Sequence, residues 1–495
     1  MNVLNKRASG VLMHISSLPG DTGIGTLGKY AYDFVDFLKK AGQTYWQILP
    51  ICPTSYGDSP YQSFSTFAGN PYFIDFEMLE KDGYLSKDDY KDVNWGGSKS
   101  YVDYGLLYIE RHKIFKIIQK NFEKNPAADY EKYCKDNAFW LDDYALFMAI
   151  KDEHNGVAFD DWEEDIRCRE PKAVAKWQKK CSERIEYYKI LQYLFYHQWF
   201  LLKNYANENG IYIVGDIPIY VAADSADVWT NPSNFVLDED NKPVEVAGCP
   251  PDGFSADGQL WGNPVYDWKA MKKDNYGWWK RRLGAGLKTY DVIRIDHFRG
   301  FDSFYAIPYG AKTAKNGVWR EGPGIDLFNE LKKEFGEMQI IAEDLGFLTD
   351  SVKKLLKDSG YPGMKILQFA FDSRDGNDYL PLRYEKNTVV YTGTHDNDTI
   401  KGWSKVANHD DIEYAMDYLR ISDESKLTKE LMLAGLSSVS NTCILPIQDL
   451  MELGSEARMN TPSTVGNNWK WRATEDQITE EIAKWLYKYT KLYNR

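Results

Sequence analysis

The chain has few of the features that mark membrane or secreted proteins. Its 495 residues include six cysteines, with no CxxC pair and no regular spacing, which excludes a disulfide framework. We interpret them as free thiols in a reducing compartment, the cytoplasm. No apolar run approaches the ~18 residues of a membrane-spanning helix, and residues 1–10 contain no apolar core of a signal peptide. We therefore expect no membrane partner.

Positive charge is also scarce. The formal net charge is −13, and the chain contains no dense Lys/Arg cluster. Nucleic acids and anionic membranes require basic patches, so we expect neither as a partner. The seven histidines form no HExxH pair, and the acidic turn at 238–241 lacks the spacing of an EF-hand. The sequence therefore predicts no metal and no other cofactor.

Aromatic residues, in contrast, are abundant, at 15% of the chain with 16 Trp and 35 Tyr. Most of them can be explained as core residues. The flat apolar faces of sugars nevertheless stack on Trp and Tyr, so carbohydrate binding becomes a hypothesis.

Eight short apolar runs rich in Val, Ile, Tyr or Phe predict strands. They lie at 10–15, 44–51, 211–217, 291–296, 339–343, 365–371, 388–394 and 441–447. Patterns typical of helices lie at 30–41, 325–335 and 350–358, and an amphipathic pattern lies near the end at 474–493. Alternation of strands and helices implies parallel strands, and eight of them predict a closed (β/α)8 TIM barrel of the α/β class.

Such a barrel needs only about 250 residues, so the remainder must be insertions. We interpret 1–495 as one catalytic barrel domain. Residues 70–209 are expected to form a mainly helical insertion subdomain, because 108–121, 142–153 and 171–207 have helical periodicity. Residues 221–268 are rich in Pro, Gly, Asn and Asp and are expected to form an active-site loop, because long irregular segments in compact domains are usually functional.

Three acidic motifs, at 294–300, 342–346 and 394–397, follow the fourth, fifth and seventh runs. Side chains alternate along a strand, so Arg294 and Asp296 share a face. An inward face at the carboxyl end of a barrel strand lies in the active-site mouth. There Arg294 would keep Asp296 ionised, as a carboxylate nucleophile requires. A buried structural Arg–Asp pair is the alternative.

Glu343 is predicted to reach the same rim, because it shares a face with Ile341. Apolar surroundings raise the pKa of a glutamate, which suits a general acid. A residue that caps the next helix is the alternative.

Asp396 is predicted there too, on the face shared with Thr394 and beside His395. A simple turn is the alternative, because Asn397 and Asp398 favour turns. Each alternative is reasonable alone, but three carboxylates at one rim of one barrel favour cleavage of a glycosidic bond.

Two other classes of function remain open at this point. The pattern GxGxxG at 23–28 follows the first strand, as in nucleotide-dependent oxidoreductases. The second strand then lacks the acidic residue that such proteins carry at its end. A non-catalytic glucan-binding protein is the other class, although binding does not require three acids.

Along nearly its whole length the chain resembles the 4-alpha-glucanotransferases of the amylomaltase, or disproportionating enzyme, type. Besides the acidic motifs, the resemblance rests on 9–12, 16–19, 56–62, 215–221, 248–252 and 258–264. It implies transfer of α-1,4-glucan segments between maltodextrins, starch fragments or glucose by retaining double displacement. Asp296 would form the covalent glycosyl-enzyme, Glu343 would act as acid and base, and Asp396 would bind sugar hydroxyls and favour the distorted state. Retention implies that the Asp296 and Glu343 carboxyls lie ~5–5.5 Å apart.

The resemblance also implies a set of substrate contacts. Ser59 and Tyr61 would contact the sugar, and Phe254 and Trp261 would be aromatic residues over the cleft. Arg294 and His395 would orient the nucleophile and the sugar. Four polar positions would lie near the cleft: Asp216, Asp344, Asp372 and Asn468. A second glucan site near Tyr56 and Tyr104 is implied as well.

A retaining α-1,4-glucan hydrolase would share the three acids. Transfer requires that the glycosyl-enzyme meets a sugar more often than water, for which the apolar segment 250–261 is the candidate. The chain departs from the family at Ser463, where glycine is usual, so a positive φ there would be mildly strained. The sequence does not indicate an oligomeric state.

Overall fold

The structure is a computed structural model that describes residues 3–251, 256–346, 348–373 and 378–495. These residues form twelve β-strands in chain order. They are β1 Ala8–Leu12, β2 Tyr45–Gln47, β3 Tyr212–Ile217, β4 Glu245–Cys249, β5 Gln259–Pro264, β6 Val292–Ile295, β7 Ser303–Pro308, β8 Val318–Glu321, β9 Ile340–Ala342, β10 Gly363–Ile366, β11 Thr388–Tyr391 and β12 Thr442–Pro446.

Eight of these strands form one parallel sheet in the order β10-β11-β12-β1-β2-β3-β6-β9. The sheet closes between its ends, where the Ala342 N–H donates to Pro362 O at 3.0 Å. This confirms the (β/α)8 barrel and its eight strands. The sixth strand was placed too late in the sequence, because β10 ends at Ile366 and Leu367–Phe369 is a 3-10 helix.

Helices surround the barrel and fill the segments between its strands. The described residues form α1 Lys29–Lys40, α2 Phe76–Lys81, α3 Tyr104–Lys124, α4 Tyr130–Asp136, α5 Ala138–Glu153, α6 Glu164–Arg167, α7 Pro171–Lys180, α8 Ser182–Glu208, α9 Ala226–Thr230, α10 Trp268–Lys273, α11 Gly277–Thr289, α12 Ile325–Phe335, α13 Asp350–Ser359, α14 Ile400–Val406, α15 His409–Leu419, α16 Leu427–Ser437, α17 Ile447–Leu450 and α18 Glu480–Leu492. Thr349 caps α13 by accepting the Val352 N–H, as its side chain is suited to do.

The long connection between β2 and β3 contains α2 to α8. Its last helix is tied to the segment before α2 by two glutamines. Gln192 accepts the Gly69 N–H at 2.7 Å and donates to Gly69 O at 2.8 Å. Gln198 makes the same pair of bonds with Asp75, at 2.7 and 3.0 Å. The helical pattern over 171–207 proves to be two helices, α7 and α8, separated at Cys181.

A second, antiparallel sheet has the order β5-β4-β7-β8. It has a small core of its own, formed by Val246, Tyr305, Ile307 and Ala314. This sheet was not predicted from the sequence, because β8 is exposed throughout and β4 and β5 lie in the segment 221–268 that was expected to be irregular. The other two strands lie beyond that segment.

The glycines of the GxGxxG pattern have a packing explanation. A Cβ atom on Gly25 would lie 1.9 Å from Ile15 O, and one on Gly28 would lie 2.0 Å from an Asp75 oxygen. Both positions therefore need glycine for close approach of neighbouring segments, without any nucleotide.

Cys52, Cys134, Cys168, Cys181 and Cys443 are free thiols. Within the described ranges, the helices include none long and apolar enough to cross a membrane.

Candidate active site

The first two predicted acids stand just beyond the ends of adjacent strands. Asp296 follows β6 and Glu343 follows β9. The ladder continues past both strand ends, because the Glu343 N–H donates to Ile295 O at 3.0 Å and the Phe298 N–H donates to Glu343 O at 2.9 Å. Both acids therefore start from one rigid rim of the barrel.

Arg294 lies between two carboxylates. Its Nη1 donates to both oxygens of Asp216, at 2.8 and 2.6 Å, and its Nη2 lies 2.9 Å from Asp296 Oδ1. Burial raises the pKa of Asp216, against the attraction of Arg294. Burial alone would lower the pKa of Arg294, but Asp216 and Asp296 raise it well above its ordinary value. The structure thus shows the predicted contact of Arg294 with Asp296, and adds Asp216 as its buried second partner.

Glu343 is 8% exposed and accepts two backbone N–H groups. His297 donates to Oε2 and Leu345 donates to Oε1, each at 2.7 Å. His297 can aim its N–H in this way because it adopts the left-handed conformation, with φ 52°. Burial first, and then the charge of Asp296, raise the pKa of Glu343 to about 8. The carboxyl is therefore protonated at neutral pH, as a general acid must be.

Asp396 lies in a turn, and the strand argument for it was wrong. Strand β11 ends at Tyr391, so alternation along the strand cannot orient a side chain five residues later. Asn397 Oδ1 accepts the Thr394 N–H at 2.9 Å, which confirms the turn that these residue types favour. The carboxylate is instead held by Asn460, whose Nδ2 donates to Asp396 Oδ1 at 2.6 Å.

The sequence analysis gave no role to Asn460, which lies 64 residues along the chain from Asp396. It belongs to the same stretch as Ser463, which was noted only for its missing glycine. The backbone at Ser463 has φ 64°, so the condition for strain at that position is met.

An aromatic platform adjoins the acids. The Tyr61 ring stacks on His395 with centroids 4.9 Å apart, and its hydroxyl donates to Asp216 Oδ2 at 2.7 Å. Trp469 packs against both rings at 5.8 Å. The Tyr61 N–H donates to Ser59 Oγ at 3.2 Å. The rings of Tyr61, His395 and Trp469, from distant parts of the chain, thus pack together beside the ion pairs of Arg294.

Trp261, on β5, packs edge-to-face on His297 with centroids 4.8 Å apart. Its carbonyl accepts from Gln62 Nε2 at 3.3 Å, which ties β5 to the loop of Tyr61. The structure therefore brings Trp261 next to the catalytic rim. Phe254, the other predicted aromatic residue, lies outside the described residues.

Two of the three remaining predicted polar residues are buried and accept from or donate to the backbone. Asp344 is buried, and its Oδ1 accepts the Met364 N–H at 2.6 Å across the closing pair of strands. Asn468 is buried, and its Nδ2 donates to Thr464 O at 2.9 Å. Asp372 is half-buried in the segment after β10. No group of three or more His, Cys, Asp or Glu in the described parts of the chain could hold a metal ion.

A sequence model of the 4-alpha-glucanotransferases matches residues 13–478. The chain belongs to the 4-alpha-glucanotransferase family. It is 50% identical over 485 residues to the 4-alpha-glucanotransferase of Clostridium butyricum, covering 98% of this chain and 100% of that one. It is 49% identical over 495 residues to that of Streptococcus pneumoniae serotype 4, covering 99% and 98%.

Family membership extends to the three-dimensional structure. The chain is similar to the solved structure of amylomaltase from Streptococcus agalactiae in complex with acarbose, with a TM-score of 0.97 at 45% identity. The match covers 99% of this chain and 100% of that chain. The family and the enzyme class that the sequence motifs indicate are therefore confirmed, in place of an oxidoreductase or a non-catalytic binder.

Proposed function

We propose that this 4-alpha-glucanotransferase transfers α-1,4-glucan segments from a maltodextrin donor to a maltodextrin or glucose acceptor, by retaining double displacement. One observation carries the mechanism: two carboxyl groups at adjacent strand ends have opposite environments. Asp296 is paired with a buried guanidinium, whereas Glu343 is buried and has a pKa of about 8. Such a pair supplies a nucleophile and a general acid at the same pH.

In the first step an Asp296 oxygen attacks the anomeric carbon. Glu343 gives its proton to the glycosidic oxygen, the bond to that oxygen breaks, and the shortened glucan leaves. In the second step Glu343 takes the proton of an acceptor 4-hydroxyl, whose oxygen displaces Asp296 and forms the new α-1,4 bond. The charge of Asp296 helps to raise the pKa of Glu343. Esterification removes that charge, so the pKa falls when Glu343 must act as a base.

The neighbouring residues have proposed roles in the same reaction. Asp396 and His395 bind hydroxyls of the sugar at the cleavage point, and Tyr61 and Ser59 form its floor. Trp261 stacks on the glucan near the rim. Contacts of Phe254 and Asp372 with the glucan are proposed from the family resemblance alone.

Three predicted substrate contacts are better explained as positioning groups. Asp216 balances the charge of Arg294 through two hydrogen bonds. Asp344 fixes the closing strands through the Met364 N–H. Asn468 holds its own loop through Thr464. Each has a partner in the protein that already explains its polarity.

Transfer, as opposed to hydrolysis, requires that an acceptor sugar excludes water from the glycosyl-enzyme. Trp261 supports this proposal, because its ring packs on His297, the residue after the nucleophile. Incubation with maltotriose is the direct test. Glucose together with a ladder of longer maltodextrins supports transfer, whereas glucose and maltose alone would mean hydrolysis.

The mechanism has its own test in Asp296→Asn. This variant is expected to lose transfer by at least about 10³-fold, because no covalent intermediate can form. Binding of maltodextrin and the melting temperature should change little. Near-normal transfer by this variant would remove Asp296 from the proposed role. Proton NMR of the transfer products of the native enzyme should show that the new glycosidic bonds are α, and β-linked products would exclude retention.

The same proposal covers the organisation of the chain. We infer that 1–495 is a single catalytic domain, with 70–209 as a helical subdomain and 221–268 as an active-site insertion. Gln192 supports the single domain, because it binds 70–209 to Gly69, outside that range, through two hydrogen bonds. A single melting transition is expected, and separate transitions would contradict it. The free thiols of Cys52, Cys134, Cys168, Cys181 and Cys443 support a cytoplasmic location, which cell fractionation can test.

A further inference from the structure

The turn that carries Asp396 is held by a short stretch near the end of the chain. Arg458 Nη2 donates to Asp396 O at 2.6 Å, and Arg458 Nε donates to Asn460 O at 2.8 Å. The Asn460 N–H donates to His395 O at 3.1 Å, and Asn460 Nδ2 donates to Asp396 Oδ1 at 2.6 Å. Three of these bonds fix the backbone, and the fourth reaches the carboxylate itself.

The two carboxylate oxygens of Asp396 differ in their surroundings. Oδ1 accepts from Asn460 and lies 3.4 Å from His395 Nε2. Among the residues that the structure describes, none hydrogen-bonds to Oδ2. The side chain is 46% exposed. Among the described residues, Asn460 therefore makes the hydrogen bond that holds the carboxylate, and it binds Oδ1.

The charged and titratable groups around Asp396 come from three parts of the chain. His395 lies in the same turn, Tyr61 stacks on it from the loop after β2, and Arg458 contacts the backbone carbonyl from the C-terminal stretch. The amide of Asn460 carries no charge and does not titrate, and its Nδ2 can only donate.

We propose that Asn460 is a positioning residue for the transfer reaction, which fixes Asp396 Oδ1 and leaves Oδ2 to bind the sugar at the cleavage point. The inference rests on the proposed function, since it assumes that Asp396 binds substrate. It extends that function to a residue that itself contacts no reacting atom.

The test uses Asn460→Asp, which keeps the size of the side chain and replaces the donor with an acid. Two carboxylates at hydrogen-bond distance cannot both ionise, so the pair retains a proton as the pH rises. The acidic limb of the kcat profile, measured with maltotriose, should move up by at least about one pH unit. On that limb, kcat should fall by up to about tenfold for each pH unit of the shift, with a smaller change in KM.

The matched control is Asn467→Asp, at an exposed position of the same loop. It makes the same chemical change and should keep the native pH profile and kcat. A uniform loss of activity in Asn460→Asp, with the native profile, would mean a purely structural role and overturn the inference. A profile equal to that of the control would overturn it as well.

A second variant covers the case in which Asn460→Asp does not fold. Asn460→Ala removes the donor without adding an acid, and about a tenfold loss of kcat is expected. Unchanged kcat in this variant overturns the inference. Asp396→Asn, measured in the same assay, tests the proposed function separately from the inference about Asn460. If Asp396→Asn remains active, the proposed role of Asp396 is wrong. If it is inactive and the Asn460 variants are normal, only the inference about Asn460 is wrong.

Discussion

Glu343 should make the stability of the protein depend on pH. Its pKa in the folded protein is about 8, compared with an ordinary value of 4.5. A carboxyl whose pKa is raised by folding contributes stability that is fully present below pH 4.5. That contribution is lost as the pH rises towards 8, because the unfolded chain ionises first. Over this whole window the loss amounts to about 5 kcal/mol.

The perturbation that isolates this effect is Glu343→Gln. Glutamine does not titrate. The difference in unfolding free energy between the variant and the native protein therefore has two parts, one that follows the titration of Glu343 and one that does not depend on pH. The part that does not depend on pH is unfavourable, because both carboxyl oxygens accept backbone N–H groups and the amide nitrogen cannot. Losing one such bond costs about 1–3 kcal/mol at any pH.

The pH-dependent part can be calculated for two accessible conditions. Between pH 5 and pH 7 the unfolded glutamate ionises while the buried one stays protonated, so the native protein loses about 2–3 kcal/mol relative to the variant. With about 1 kcal/mol/K of unfolding entropy for a chain of this size, the variant should gain about 2 °C in relative melting temperature. Its transfer activity should be lost at both pH values.

Thermal unfolding of both proteins at pH 5 and pH 7 measures this change. Glu208→Gln, at an exposed position, is the control that removes the same charge without burial. Its stability difference from the native protein should be the same at the two pH values. If the stability difference between Glu343→Gln and the native protein is also the same at pH 5 and pH 7, the reasoning is refuted, because burial then does not raise the pKa of Glu343.

Two further changes test local features of the site. Ser463→Gly should stabilise the protein by about 0.5–1 kcal/mol, because the left-handed backbone with φ 64° disfavours side chains. Val465→Gly is the control at a position without a positive φ, and it should lower the melting temperature. Asp216→Asn should cost about 3–5 kcal/mol of stability and lower kcat/KM at least about tenfold, because it leaves Arg294 with Asp296 as its single acidic partner; unchanged melting and kinetics would contradict this.

The barrel could be predicted from the sequence because its strands are buried on both faces. Such strands appear as continuous apolar runs, and runs such as Val292–Ile295 and Thr388–Tyr391 are among them. The second sheet gave no such signal. Its strand Val318–Glu321 is exposed throughout, and Glu245–Cys249 lies in a segment whose Pro, Gly, Asn and Asp content predicted an irregular loop.

The residues of the site also differ in whether the sequence alone could predict their positions. Asp296 and Glu343 could be found because they directly follow buried strands, where alternation still applies. Asp396 was found by its motif and not by its geometry, because the strand ends five residues before it. The partner of Asp396, Asn460, gave no local signal, because the contact joins positions 64 residues apart.

The three acids share a physical situation, because each lies just beyond the end of its strand and a neighbouring group holds its carboxyl. Asp296 is held by Arg294, Glu343 by two backbone N–H groups, and Asp396 by Asn460. Two of these contacts are local, because Arg294 and Leu345 lie two residues from the acids that they hold. The His297 N–H and the Asn460 side chain reach their acids across 46 and 64 residues of the chain. The nucleophile and the general acid could therefore be predicted from the local sequence, whereas the position of the Asp396 carboxylate depends on a contact that the local sequence does not encode.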